Sequence, residues 1–390
     1  MNTARINAVL PALESVLGKP RAPIALHEPK FEGREWDYVK ECLDTGWVSS
    51  AGKFVDRFES MLTEYTGAKF AIATVNGTSA LHICLQLVGV QSGDEVLTPA
   101  LTFIASANAV SYCNAIPHLV DSSENTLGLD PEKLRGYLRS VSEFRNGRLV
   151  NKRSGARIRA VMPMHTFGHP VDLDALIEIC AEFKLQLVED AAESLGSYYK
   201  GRHTGTFGRV AALSFNGNKV VTTGGGGAIL TDDPELAKLA KHLTTTARVP
   251  HQWSFSHDQI GYNYRLPNIN AALGCAQLEA LPAAIEKKRA LADKYMTAFK
   301  PIDWLELFRE PVFAKSNYWL NALLLKRECA HLRDAVLELT NRHNYMTRPV
   351  WTLMHRLPIY ADCPRMDLSV AEDIERRLVN LPSSPALAHT

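Results

Sequence analysis

From about residue 69 the chain alternates short apolar runs with helical patterns, and this alternation limits the folds open to it. The runs KFAIATV (69–75), EVLTPA (95–100), IPHLVD (116–121), RAVMPMH (159–165), LQLVED (185–190), AALSFN (211–216) and AILTD (228–232) read as strands. Between them lie stretches of helical spacing such as TSALHICLQLVG, FIASANAVSYC, DLDALIEICAEF and PELAKLAKHL. Strands that are apolar along nearly their whole length, separated by helices, predict an α/β fold. Its sheet should be mostly parallel and covered on both faces. In such sheets a site forms beyond the carboxyl ends of the strands. Residues with distinctive chemistry should therefore follow strand ends.

The pattern changes after about residue 280. LPAAIEKKRALADKYMTAF reads as one amphipathic helix, YWLNALLL (318–325) as a strand and CAHLRDAVLELTNRH as a helix. The expected organisation is an N-terminal extension (1–30), a large α/β domain (31–280) and a smaller α+β domain (281–390). In the extension, Ile6, Leu10, Leu13 and Leu17 fall at helical spacing, interrupted by Pro11, and predict a segment packed on the body. The polar, basic stretch 139–157 reads as a solvated loop or hairpin, and no internal repeat is visible.

Composition excludes several classes. Hydrophobic residues make up 46% and charged residues 22%, which suits a globular chain. The formal net charge of +1 gives no general attraction to nucleic acid or anionic lipid. No apolar run approaches membrane-spanning length, and the first 20 residues lack a secretory pattern. The seven cysteines form no C-x-x-C pair and no metal-ligand spacing, so reduced thiols, no metal site and a cytoplasmic location are expected.

Three strand ends carry chemistry. After 69–75 come Asn76-Gly77-Thr78-Ser79 and a helix; a helix start with free amides and hydroxyls suits a phosphate. The apolar strand 185–190 ends in Glu189-Asp190, with Glu193 close behind; a carboxylate there needs a cationic or N–H partner. Strand 211–216 leads from Ser214 to Lys219 and then to Gly224–Gly227. A lysine in a desolvated pocket can act as an amine nucleophile. Each signal has an ordinary alternative: a plain helix start, a capping Asp, a solvated lysine. Their joint occurrence in this order suits pyridoxal 5′-phosphate. The helix start would take the phosphate, Asp190 the protonated ring nitrogen and Lys219 the aldehyde carbon. Phe103, after strand 95–100, can stack on the ring or serve as a core aromatic.

These residues resemble the DegT/DnrJ/EryC1/StrS family of sugar aminotransferases, over roughly residues 27–385. The matching segments include G-W-V-S-S (46–50), N-G-T-S-A-L (76–81), G-D-E-V-L-T-P-A-L-T-F (93–103), H-T-F-G-H-P (165–170), V-E-D-A-A-E-S-L-G (188–196), T-G-T-F-G (204–208), S-F-N-G-N-K (214–219) and G-Y-N-Y-R-L-P-N-I-N-A-A-L-G (261–274). The resemblance implies the aspartate-aminotransferase (type I) fold with a seven-stranded sheet. It makes Lys219 the Schiff-base lysine and Asp190 the pyridinium partner. It puts Glu193 near the ring hydroxyl, and Ser214, Gly77 and Thr78 at the phosphate. Asn263 would reach the phosphate of a neighbouring subunit, which implies a homodimer with shared sites. Gly225 stands where many relatives have Glu, which makes that turn a departure from the pattern.

The segment Thr347–Pro358 looks most like aminotransferases of UDP- or GDP-linked 4-keto-6-deoxyhexoses. The bacillosamine and legionaminic acid type is favoured, with UDP as nucleotide and L-glutamate as donor. GDP-perosamine synthase or a C3 aminotransferase is the alternative. Trp47, Ser50, Arg248 and His355 are the candidates for touching the nucleotide sugar, and His165 is expected to support the pocket wall. A surface-glycan role follows from the same resemblance. A lyase or decarboxylase, a non-catalytic regulator and a nucleotide-binding module are the competing readings.

Overall fold

The computed structural model describes residues 2–389. All seven apolar runs become strands of one sheet: β1 (Phe70–Thr74), β2 (Glu95–Pro99), β3 (Ile116–Val120), β4 (Ile158–Val161), β5 (Gln186–Asp190), β6 (Val210–Ser214) and β7 (Gly227–Thr231). Their order is β1-β7-β6-β5-β4-β2-β3. The neighbours from β6 through β5, β4 and β2 to β3 are parallel. β7 is antiparallel to both β1 and β6. Six strands therefore deliver their carboxyl ends to one edge of the sheet.

The strands are mostly apolar because both faces are covered. Ala73, Ala211, Leu213, Ala228 and Leu230 pack with Phe54, Phe58, Leu62 and residues of the helix that starts at Asn268. Their sequence neighbours Ile72, Val210, Ala212 and Ile229 face the other way, toward helices Gly77–Leu87 and Pro234–Thr244. The period of two sorts side chains between two cores. The stretch 139–157 contains an antiparallel hairpin, Ser142–Arg145 with Arg148–Asn151. Asn151 and Ser154 donate to Glu95, which also meets His118 Nδ1 at 2.7 Å. The polar stretch thus satisfies a carboxylate buried at the amino end of β2.

The helix expected from Leu281 begins at Asn268 and runs unbroken to Phe299, across the expected 280/281 boundary and through Pro282. Its first part is buried on most sides, so no single apolar stripe marks it. Gly274 lies there because a Cβ would come within 2.6 Å of Phe58 and 2.7 Å of Thr223. Its last turns, with Leu291, Tyr295 and Phe299, pack against helix Val9–Leu17. Pro11 is tolerated in that short helix because it falls in the first turn, where amides lack helical partners.

A second, antiparallel sheet has the order β8-β9-β11-β10, from β8 (Leu305–Leu307), β9 (Asn321–Leu325), β10 (Arg348–Pro349) and β11 (Leu378–Leu381). The run 318–325 is strand only from Asn321, because Tyr318 adopts a positive φ of 45° and turns Trp319 out of line. Among the described residues, no helix is long and apolar enough to cross a membrane.

His169, edge-on to Phe308 at 4.6 Å and Tyr318 at 5.2 Å, is fully buried, and neither ring nitrogen has a hydrogen-bond partner among the described residues. Burial pushes its pKa down to about 3, and that of buried His203 to about 4, from an ordinary 6.5. Between these values the unfolded chain binds protons that the folded chain does not. The stability these neutral rings allow is complete above pH 6.5 and is lost as pH falls toward the folded values. The slope approaches about 1.4 kcal/mol per pH unit for each ring. His169→Phe should therefore flatten the decline of unfolding free energy between about pH 6.5 and 4.5. Denaturant titrations across that window check it; an unchanged slope would mean that His169 does not resist protonation.

Candidate active site

The site is built where the parallel strands end. β1 leads into Asn76, which is extended (φ −167°) and caps helix Gly77–Leu87 by accepting from Ser79 N at 2.7 Å. The amides of Gly77 and Thr78, at the first two helical positions, have no intrahelical acceptor. A Cβ on Gly77 would come within 2.8 Å of Ser214 Cβ, so glycine lets the helix start meet the end of β6. β2 leads to Phe103 and the helix that carries Ser106. β5 ends at Asp190 itself.

A cavity of about 320 Å³ brings together Gly77, Thr78, Phe103, Asp190, Glu193, Ser214 and Lys219. These are the residues that sequence reasoning grouped, apart from Asn263. Asp190 is buried; its Oδ2 accepts from Ser106 Oγ at 2.6 Å and its Oδ1 from Ala192 N at 3.2 Å. Burial raises its pKa, and the Ser106 bond opposes that rise. Lys219 Nζ meets Glu193 Oε1 at 3.1 Å, while Phe167 N donates to Glu193 Oε2 at 2.9 Å. Burial pushes Glu193 up to about 7, and Lys219 opposes the rise.

His165 stands outside the cavity. Its Nε2 lies 3.0 Å from Glu189 Oε2. The same carboxylate accepts from the amides of Gly205, Phe207 and Gly208, each at 2.7 Å. Burial alone would raise Glu189; His165 and the amides of Gly208 and Gly205 bring it below the ordinary value. The T-G-T-F-G segment is thus a nest of amides around Glu189, and His165 is its partner.

The candidates for touching the nucleotide sugar do not line this cavity within the chain. Trp47 is 60% exposed and borders a separate hollow with Cys42 and Asn268. Ser50 is half-buried outside the cavity. Arg248 lies 4.0 Å over the Phe255 ring, and His355 Nε2 meets Glu372 at 3.0 Å. Asn263 is exposed and pairs with Thr245. A Cβ on Gly225 would meet only Val75 O, at 3.9 Å, so the turn has room for a side chain.

Sequence reasoning missed Ser106, Trp319 and Trp351. Ser106 lies three residues beyond Phe103, and position alone gave no sign that it meets a carboxylate 84 residues away. Trp351 is in the segment singled out by resemblance and lines the cavity, which His355 does not. Trp319 was read as part of a strand, and the turn at Tyr318 brings it to the cavity.

The chain from residue 29 to residue 390 matches the model of the DegT/DnrJ/EryC1/StrS aminotransferase family. The chain belongs to this family. It is an aminotransferase. GDP-perosamine synthase of Escherichia coli O157:H7 is 37% identical over 372 residues, covering 94% of each chain. EpsN of Bacillus subtilis, described as a putative pyridoxal phosphate-dependent aminotransferase, is 36% identical, covering 92% of this chain and 90% of its own. Among solved structures, the aminotransferase TlmJ from Streptoalloteichus hindustanus superimposes with a TM-score of 0.84 at 27% identity, over 93% and 94% of the two chains. The expected fold class is thereby confirmed.

The donor set fits pyridoxal 5′-phosphate: free amides at a helix start, a hydroxyl at Ser214, a buried carboxyl and an amine in one cavity. Lys219→Ala should keep the fold and lose almost all turnover with an amino donor; appreciable turnover would remove the lysine from its role. Ser106→Ala removes a bond to a charged group worth about 1.5–3 kcal/mol. Cofactor titration should show affinity reduced by roughly ten-fold or more. Unchanged affinity would show that Ser106 does not tune Asp190.

Proposed function

We propose that this chain uses pyridoxal 5′-phosphate to move an amino group from L-glutamate to the C4 ketone of a GDP-linked 4-keto-6-deoxyhexose. The observation that carries it is the Asp190–Lys219 cavity, set in a chain whose relative of 37% identity, over 94% of both chains, is named GDP-perosamine synthase. That relative favours the alternative of the sequence reading over its UDP-N-acetylhexosamine preference. The segment 347–358 alone does not separate the two nucleotides.

Bound in the cavity, the cofactor supplies an aldehyde for an amine and a ring that accepts electrons when its nitrogen is protonated. Asp190 keeps the proton on that nitrogen. Ser106 and the Ala192 amide favour its charged form, which the task requires. Gly77, Thr78 and Ser214 take the phosphate. The Lys219 amine would take the proton from the donor's Cα and later deliver one to C4 of the sugar. Glu193 holds that amine near the reacting carbon.

The chain acts as a homodimer in this proposal. Asn263 and Arg248, which lie away from their own cavity, would then serve the site of a second copy. Trp47, Ser50 and His355 would border the bound nucleotide sugar there. A cytoplasmic enzyme of this kind supplies an amino sugar for lipopolysaccharide or O-antigen synthesis.

A panel of GDP-, UDP- and dTDP-linked 4-keto-6-deoxyhexoses tests the assignment. Enzyme pretreated with L-glutamate and freed of it should regain its cofactor's visible absorbance with the GDP sugar, and mass spectrometry should find the 4-amino product. A response confined to UDP sugars would overturn the nucleotide assignment. Silence across the panel would overturn the sugar reading.

A further inference from the structure

Lys219 Nζ lies 3.9 Å from the centre of the Trp319 ring, well inside the range of a cation–π contact. Its other partner is Glu193, at 3.1 Å. The amine thus sits between a carboxylate and an aromatic face. The indole is fixed to the segment it serves, because Trp319 Nε1 donates to the carbonyl of Asn218 at 2.8 Å, one residue before Lys219.

The tryptophan backbone is held as firmly. Trp319 N donates to Asn317 Oδ1 at 2.8 Å, and Asn317 Nδ2 donates to Glu193 O at 2.8 Å. One asparagine therefore ties together both groups that hold the amine. Gly168 leaves the room it needs; a Cβ there would fall 1.8 Å from Asn317 Oδ1. On the other side, Trp319 O accepts from Lys288 Nζ at 3.1 Å. Lys288 is fully buried and reaches the carbonyl of Ser383 as well.

We propose that Trp319 is a positioning residue for Lys219. Its indole face is the seat of the amine whenever that amine is not joined to the cofactor, and Asn317 and Lys288 set the seat from the C-terminal part of the chain. The proposal rests on the transaminase reading above and deepens it. A displaced lysine has a long, freely rotating stem and can point its nitrogen many ways. Proton transfer needs that nitrogen held within reach of the donor's Cα. Glu193 attracts the amine but leaves its direction open; the flat ring closes one side.

Trp319→Phe keeps a ring and loses the bond to Asn218; Trp319→Leu loses both. In the cofactor-free chain, reductive methylation with formaldehyde and cyanoborohydride, mapped by mass spectrometry, reads the freedom of Lys219 against exposed Lys238. The leucine variant should label Lys219 at least threefold faster than wild type, and the phenylalanine variant within twofold of it. In the loaded enzyme, Trp319→Leu should lower kcat for the glutamate half-reaction tenfold or more with KM within twofold, and Trp319→Phe should recover most of the loss. Unchanged labelling in the leucine variant overturns the proposal. A loss confined to KM, or one equal in both variants, does so too. Trp319→Met carries the same test if the leucine variant does not fold. Labelling needs neither cofactor nor sugar, so failure of the sugar panel and failure of this proposal are separate results.

Discussion

Three carboxylates, Glu189, Asp190 and Glu193, are buried within five residues at the end of β5, and the surrounding architecture answers their need for partners. A carboxylate taken out of water is costly unless donors replace the lost solvation. Glu189 takes His165 and the amides of the 205–208 loop. Asp190 takes Ser106 from the helix after β2. Glu193 takes Lys219 from beyond β6 and the amide of Phe167. These partners come from different crossovers of the sheet, so one fold must place them all.

The three are not equivalent, and strand geometry explains part of the difference. Successive side chains of β5 point to opposite faces. Glu189 turns into a nest of amides with His165, where its charge is fully answered and it has a structural role. Asp190 turns into the cavity, where, among the described residues, a serine hydroxyl and one amide donate to it. Its remaining need is for a proton or a cation. That incomplete satisfaction is what a protonated ring nitrogen can complete. Glu193, pushed up by burial and paired with Lys219, leaves the amine anchored yet free to exchange partners.

Much of this was legible in the chain. Continuous apolar strands separated by helices predicted the parallel sheet, because only a sheet covered on both faces tolerates such strands. The order of Gly77-Thr78, Asp190 and Lys219 predicted one cavity, because parallel strands share a carboxyl edge. The start of the long helix was not legible, since residues 268–280 are buried on most sides and carry no stripe. Nor was the place of Arg248 and His355, whose partners Phe255 and Glu372 are surface neighbours that spacing does not single out. The nucleotide was not legible in the segment 347–358, and the similar relatives favour GDP over the UDP preference. The residues of 347–358 fit both readings.

The sequence by itself determined which groups meet at the strand ends, because strand direction and period follow from local pattern. Only the tertiary structure decided what holds them. Ser106 beneath Asp190, the 205–208 amides around Glu189, and Trp319 against Lys219 are contacts between segments far apart in the chain. Such contacts are fixed by the packing of the two sheets and the helix between them, and no local pattern of residues encodes them.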